Sequence, residues 1–70
     1  LDALTTRERE IFDMLAVGQS NHDIAEKLDI GEVTVRTHIA SVLDKLNLRD
    51  RTQVVIYALK RGLIHVDDLP

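Results

Sequence analysis

The side chains best suited to recognising another molecule lie between residues 33 and 40. Arg36 carries a guanidinium with five N–H donors, and Thr37 beside it carries a hydroxyl and a methyl group. Val33 lies three residues before Arg36 and four before Thr37, and Ala40 lies four residues after Arg36 and three after Thr37. Because residues three and four apart are neighbours on a helix, all four side chains share one helix face. Donors set among short and methyl-bearing side chains are suited to non-covalent recognition of hydrogen-bond acceptors and methyl groups.

The sequence is poor in the groups that catalysis and metal binding require. It has no cysteine, no GxSxG segment, no glycine-rich phosphate loop and no clustered carboxylate pair in a plausible cleft. His22, His38 and His65 lack the spacing of metal ligands. We therefore expect no catalytic residue, no metal and no cofactor, and we predict that the chain is not an enzyme.

Helices must position the recognition face, and the sequence contains the signals that begin and end four of them. Leu, Ile, Val and Ala dominate, and the single proline is Pro70. Thr5 with Glu8 forms a capping-box pattern, while residues 20, 31 and 50 can cap three further helices. Residues 18, 29, 47 and 62 can adopt the left-handed conformation that ends a helix. We predict one domain over residues 1–70, helices over about 6–17, 21–28, 32–46 and 51–61, and a tail after residue 62 that is at best partly ordered.

The second and third predicted helices have the pattern of a helix-turn-helix over about residues 20–46. Ala25 is small enough for a close helix contact, Ile24 and Leu28 face inward, and Ile30 can fill the turn. The fold class predicted is therefore all-α, a four-helix helix-turn-helix domain. A helical hairpin without a ligand has the same apolar spacing and is the alternative.

The third helix has a core stripe and an opposite face of different chemistry. Val35, Ile39, Val42 and Leu46 fall within a narrow arc. The opposite face holds Val33, Arg36, Thr37, Ala40, Ser41 and Asp44, with Thr34 at its margin. Such short side chains allow a helix to approach the floor of a DNA major groove, where Arg, Thr and Ala can reach base edges and thymine methyl groups. The acidic Asp44 limits how far the contact extends.

Charge is unevenly distributed along the chain. The formal net charge is −3, which by itself argues against a nucleic-acid partner. Residues 1–32 hold eight acidic and three basic side chains, whereas residues 33–61 hold two acidic and six basic ones. This arrangement permits a basic face on an acidic body, although segregation of this size also arises by chance.

Several separated motifs in this order resemble the LuxR-type output domain, and most closely the NarL/FixJ branch of response regulators. They are Leu4-Thr5-Thr6-Arg7-Glu8-Arg9-Glu10, Gly18-Gln19-Ser20-Asn21 with Ile24-Ala25, Thr34-Val35-Arg36-Thr37-His38, Lys45-Leu46 and Arg51-Thr52. The resemblance covers residues 4–64. It implies that the third helix enters the major groove.

The resemblance also implies roles for individual residues. Base-facing roles fall to Arg36, Thr37 and Ala40, and Val33 joins them because it shares their face. A supporting DNA-backbone role falls to Thr34. Phosphate contacts that set the register fall to Lys45, Arg49 and Arg51. The alternative for these basic residues is that they are solvated charges without a role.

The fourth helix has more apolar surface than one core can bury. Residues 54–59 are six consecutive apolar residues, and we expect Val54, Val55, Ala58 and Leu59 to face inward. The outer face then holds Gln53, Ile56, Tyr57 and Lys60. An exposed Ile and Tyr predict a homodimer contact on this helix, as the resemblance also implies, although incidental surface apolar residues are the alternative.

These observations predict sequence-specific binding of double-stranded DNA by the output domain of a dimeric bacterial transcription regulator, of the two-component response-regulator type. The rival hypothesis is a helical protein-interaction or dimerisation module without DNA binding, and RNA polymerase is a further candidate partner. The resemblance implies a receiver domain controlled by phosphorylation, while an autoinducer-binding or other sensor stays open. The chain starts at Leu1 and has no long apolar run or leader, so we expect a soluble, cytoplasmic fragment without membrane contact.

Overall fold

The computed structural model describes residues 3–70, which form four α-helices and a short 3₁₀ helix. The helices are α1 (Thr6–Ala16), α2 (Asn21–Leu28), α3 (Glu32–Leu46) and α4 (Arg51–Lys60), and the 3₁₀ helix is Val66–Asp68. The all-α, four-helix prediction is confirmed. None of the helices within residues 3–70 is long and apolar enough to cross a membrane.

Local side-chain chemistry explains where the helices begin. Thr5 Oγ1 accepts a hydrogen bond from the Glu8 N–H at 3.1 Å, and the Thr5 N–H donates to Glu8 Oε1 at 2.9 Å, so the predicted capping box is present. Ser20 and Asp50 cap α2 and α4 with one side-chain oxygen each. Gly31 caps α3 without a side chain, which leaves the start of α3 free of a bulky neighbour.

The turn between α2 and α3 requires a left-handed residue that is not glycine. Asp29 has φ 55° and ψ 48°, a conformation in which an L-residue is less favourable than glycine but in which Asp is tolerated. Its N–H still bonds back to α2, and the N–H of Ile30 bonds to the Ala25 carbonyl at 3.1 Å. The N–H groups of both Asp29 and Ile30 are therefore paired within the predicted helix-turn-helix, and Ile30 packs against the core.

The core lies where α1 packs against both α3 and α4, with α2 packed against α3. The predicted stripe of α3 faces this core: Val35 and Val42 are fully buried, Ile39 is nearly so, and Leu46 is half-buried. The eleven buried apolar side chains are Ile11, Phe12, Leu15, Ala16, Ile24, Ala25, Val35, Ile39, Val42, Val54 and Ala58. Every helix contributes to this core. The inner face of α3 packs into the core, and its outer face is exposed to solvent.

Two predictions for α4 are wrong. Val54 and Ala58 are buried as predicted, but Leu59 is exposed and Tyr57, expected outside, is half-buried. The centre of the buried arc lies between residues 54 and 58, and at about 100° per residue Leu59 is roughly 120° from it whereas Tyr57 is roughly 80° away. The Tyr57 ring instead meets the Phe12 ring edge-on, with centroids 6.0 Å apart and planes at 84°.

The tail is more ordered than predicted. Ile64 packs against the core, and His65 and Asp68 cap the 3₁₀ helix reciprocally, with the His65 N–H donating to Asp68 Oδ2 at 2.8 Å. The ring of Pro70 lies beside Gly18 at the end of α1. The capping of the 3₁₀ helix and the contact of Pro70 with Gly18 hold this segment in a defined conformation, which its composition alone did not indicate.

Candidate nucleic-acid interface

The outer face of α3 is open to solvent over most of its length. Val33 is 68% exposed, which is unusual for a large apolar side chain, and Arg36, Thr37 and Ala40 are exposed beside it. Thr34 and Asp44 are exposed as well. The structure therefore brings the four predicted base-facing residues together on one surface that nothing else in residues 3–70 covers.

Hydrogen bonding differs between the two polar residues of this face. The Thr37 hydroxyl donates to the Val33 carbonyl one turn earlier, at 3.1 Å. Among residues 3–70, no hydrogen bond or ion pair holds the Arg36 guanidinium. Arg36 therefore keeps its full set of donors for a ligand, whereas the hydroxyl hydrogen of Thr37 is already used.

A buried carboxylate fastens α3 to the start of α1. Oε1 of Glu8 accepts from the Lys45 ammonium at 2.7 Å and from the Thr5 N–H, and Oε2 accepts from the Ser41 hydroxyl. Glu8 is buried, with 6% of its surface exposed. The prediction that Ser41 lies on the open face is therefore wrong, because this hydroxyl is half-buried and turned towards α1.

These three hydrogen bonds favour the ionised form of Glu8. Donation from Lys45 is the largest cause, followed by Ser41 and then the Thr5 N–H, and together they hold the pKa of Glu8 at about 2 against an ordinary value of 4.5. Burial opposes this shift and is outweighed. The carboxylate is therefore ionised at neutral pH, and the α1–α3 connection is charged.

The basic residues predicted to contact phosphate differ in how far they are engaged within the fold. Arg51 donates from Nη1 to Asn21 Oδ1 at 2.8 Å and from Nη2 to the Gln19 carbonyl at 2.9 Å, which ties the start of α4 to the start of α2. Lys45 is paired with Glu8. The Arg49 side chain is exposed, and only its backbone N–H is used, in a bond to Gln53 Oε1 at 2.7 Å.

The outer surface of α4 carries the apolar groups that the dimer prediction requires, in a changed arrangement. Ile56 is 45% exposed and Leu59 is 36% exposed, with Lys60 beside them. Gln53 is half-buried and accepts the Arg49 hydrogen bond, and the guanidinium of Arg61 lies 4.4 Å from the centre of the Tyr57 ring. Leu59 thus takes the place on this surface that was predicted for Tyr57.

An acidic cleft lies at the turn between α2 and α3. Nε2 of His22 lies 2.7 Å from Glu26 Oε2, and Nδ1 of His22 lies 3.7 Å from Glu32 Oε2. Within the part of the chain that the structure describes, no three His, Asp or Glu side chains are arranged to hold a metal ion. The cleft is lined by three carboxylates and by no lysine or arginine, and it lies beside the open face of α3.

Sequence reasoning missed the residues that orient α3. Glu8 was assigned only to the cap of α1, and Asn21 and Gln19 were given no role towards Arg51. An acidic residue that also serves as a cap gives no local sign of a second partner 37 residues away. The pairs Glu8–Lys45 and Arg51–Asn21 become visible only when the helices are packed.

Comparison with known proteins bears on this geometry. A family model described as "Bacterial regulatory proteins, luxR family" matches residues 2–58. The chain belongs to the luxR family of bacterial regulatory proteins. This luxR-family chain is 44% identical over 63 residues to the "Uncharacterized transcriptional regulatory protein YxjL" of Bacillus subtilis (strain 168), and 48% identical over 63 residues to the "Response regulator protein VraR" of Staphylococcus aureus (strain Mu3 / ATCC 700698).

Both alignments cover 90% of this chain, but only 29% of the Bacillus protein and 30% of the Staphylococcus protein. The luxR-family chain thus spans about three tenths of the length of the curated relatives it matches. Membership confirms the resemblance found in the sequence and the function predicted at that level, a helix-turn-helix domain for DNA binding in transcription regulation. The roles of individual residues and any dimer contact stay predictions.

Proposed function

We propose that this luxR-family chain is the sequence-specific, double-stranded-DNA-binding output domain of a dimeric response regulator. The observation that carries the proposal is the open outer face of α3, where Arg36 keeps all its donors among exposed short side chains. A groove-docked helix requires such a face. The name of the Staphylococcus relative supports the response-regulator part. In this proposal the domain acts in the cytoplasm, where its DNA target lies, and it performs no chemistry on the DNA.

Direct recognition of bases is assigned to Arg36, Thr37, Ala40 and Val33. The Arg36 fork matches the two acceptors, O6 and N7, that guanine presents in the major groove. The acidic residues of the α2–α3 cleft surround the entry of α3 and disfavour docking through that side. The contact is therefore expected to begin after Glu32, which lies one turn before Arg36 on the same flank of α3.

Contacts to the DNA backbone are assigned to Thr34, Arg49, Arg51 and Lys45. Arg49 is the strongest of these candidates because its side chain is exposed and has no partner among residues 3–70. Arg51 uses two of five N–H donors within the fold, and Lys45 uses one of three. Both retain donors for phosphate oxygens, at fixed positions set by Asn21 and Glu8.

The dimer contact is assigned to the outer face of α4. Ile56 and Leu59 are exposed apolar side chains one turn apart. Gln53 and Lys60 provide a polar margin, and the half-buried Tyr57 completes the predicted contact. Two copies joined here would present two α3 helices to half-sites about one DNA turn apart. RNA polymerase is a further partner in this proposal, and the acidic α1 and α2 surface is available for it.

A salt titration tests the proposal against a protein-interaction module. The 70-residue chain is titrated with a random duplex and with a duplex selected from a random pool, at several salt concentrations. We expect log K to fall linearly with log salt for both duplexes, with a slope near −0.9 for each phosphate contacted, and the selected duplex to bind more tightly throughout. Absence of duplex affinity at low salt would support the interaction module instead.

A further inference from the structure

The open face of α3 presents methyl groups along its centre. At about 100° per residue, Val33 and Ala40 lie within roughly 20° of one another, and Thr37 lies roughly 40° to one side of Val33. Arg36 lies on the other side of this line. All four side chains are exposed, and 68% of Val33, which carries two methyl groups, is accessible.

Thr37 belongs to this methyl stripe because its hydroxyl hydrogen is occupied. The hydroxyl donates to the Val33 carbonyl at 3.1 Å, so it has no hydrogen left to donate to a base acceptor such as guanine N7 or thymine O4. The methyl group is the other branch on the same carbon and is free for contact. Only an acceptor function remains on the oxygen.

In the major groove of unmodified DNA, the apolar group that such a stripe fits is the C5-methyl of thymine. We infer that Val33, Thr37 and Ala40 recognise thymine C5-methyl groups next to a guanine bound by Arg36. The inference rests on the proposed function and specifies its target. Seven residues of helix rise about 10 Å from Val33 to Ala40, the length of about three base-pair steps, so the thymines lie within one short segment of each half-site.

The chemistry distinguishes this target from a hydrogen-bonded one. A methyl stripe contacts the C5-methyl group and not the group at C4 of the base. We therefore expect 5-methylcytosine, which carries this methyl group, to substitute in part for thymine, and uracil, which lacks it, not to do so. Removal of one buried methyl group weakens binding by about fourfold, as expected for about 0.8 kcal/mol. Recognition through the Thr37 oxygen would be indifferent to the methyl group.

The test uses a duplex selected by the 70-residue chain from a random pool, resynthesised with uracil in place of each thymine in turn. We expect uracil at one to three adjacent positions to weaken binding about fourfold each, and 5-methylcytosine at those positions to bind more tightly than cytosine. Val33→Ala and Thr37→Ser should abolish the difference between thymine and uracil at their own positions. Thr37→Val, which keeps the methyl group and loses the hydroxyl, should preserve it.

Three results would overturn the inference. The first is a selected site without thymine near the Arg36-dependent guanine, and the second is equal binding of thymine and uracil duplexes. The third is the reversed pattern, in which Thr37→Ser binds as the parent does and Thr37→Val fails. If the parent discriminates between sequences and Arg36→Ala reduces that discrimination, any of these leaves the proposed function standing. If the parent chain binds no duplex, the proposed function and this inference fail together. All four variants change exposed side chains, and circular dichroism of each checks that it is folded.

Discussion

Glu8 and Lys45 are 37 residues apart in the sequence, yet Nζ of Lys45 lies 2.7 Å from Oε1 of Glu8. The bond joins the first turn of α1 to the last turn of α3. With the Ser41 hydroxyl on the second oxygen, it fixes both the rotation and the height of α3 against α1. The open face of α3 is thereby oriented by a charged pair on the flank of the helix, between the open face and the core stripe.

The Glu8 cluster makes stability depend on pH. The pKa of Glu8 is lowered in the folded chain to about 2, so its contribution is present above the ordinary value of 4.5 and is lost as pH falls from 4.5 towards 2. We expect Glu8→Gln to unfold at a lower urea concentration than the parent at pH 7, and this difference to shrink between pH 4.5 and 2. Urea unfolding at pH 7, 4 and 2.5 measures it.

Glu10→Gln is the matched control for this experiment, because Glu10 lies on the same helix and outside the cluster. It should leave the urea midpoint near that of the parent at pH 7. If the urea midpoint of Glu8→Gln stayed below that of the parent by the same amount from pH 7 to 2.5, the pH dependence would not arise from this carboxylate.

Arg36 is expected to carry base discrimination. Replacing it by Ala removes the fork and should cost about 1–3 kcal/mol on the selected duplex and much less on random duplex, so that the preference between them narrows. Fluorescence anisotropy with both duplexes gives the two affinities. Equal losses on both duplexes would mean that Arg36 contacts phosphate and not a base.

Arg49 and Arg51 should act on all sequences alike. Arg49→Ala is expected to weaken the selected and random duplexes equally and to reduce the salt slope by about 1. Arg51→Ala should do the same and in addition lower the free energy of unfolding by about 1 kcal/mol, because the bonds to Asn21 and Gln19 are lost.

Arg51→Lys separates these two roles, since it keeps the charge and loses the double hydrogen bond. It should retain the salt slope of the parent while showing reduced stability in thermal unfolding. An unchanged salt slope in Arg51→Ala would remove Arg51 from the phosphate contacts and leave it a structural residue.

Asp44 is expected to oppose DNA binding. It is exposed on the same line as Val33 and Ala40, about one turn beyond Ala40, where phosphate oxygens flank a docked helix. Asp44→Asn should strengthen binding to both duplexes by about twofold to fivefold, the size of an exposed charge interaction. Asp13→Asn, which changes an exposed acid on α1, is the control and should leave affinity unaltered. No gain in Asp44→Asn would place the end of the DNA contact before this turn.

Ile56 tests the dimer contact. Ile56→Glu places a charge in the centre of the α4 surface and should reduce the sedimentation mass of the DNA-bound complex and the cooperativity on paired half-sites. Val66→Glu is the control, because Val66 is 62% exposed but lies outside α4. Identical behaviour of Ile56→Glu and the parent on paired half-sites would remove α4 from the interface.

Much of the fold was determined by the sequence within short stretches of chain. The cap residues Thr5, Ser20 and Asp50 and the left-handed residues Asp29 and Asn47 set helix bounds that agree with the structure to within a residue, because each acts on backbone groups only a few positions away. The open face of α3 followed from the same local periodicity.

Tertiary packing decided what the local pattern left open. Six consecutive apolar residues in α4 do not specify which of them face α1, so Leu59 was placed inside and Tyr57 outside, opposite to their positions in the structure. The pattern of α3 gives Ser41 and Lys45 no partner, and only the packing of α1 brings Glu8 against them. Rotation of one helix against another depends on contacts between residues far apart in the chain, and a pattern within a single helix does not contain that information.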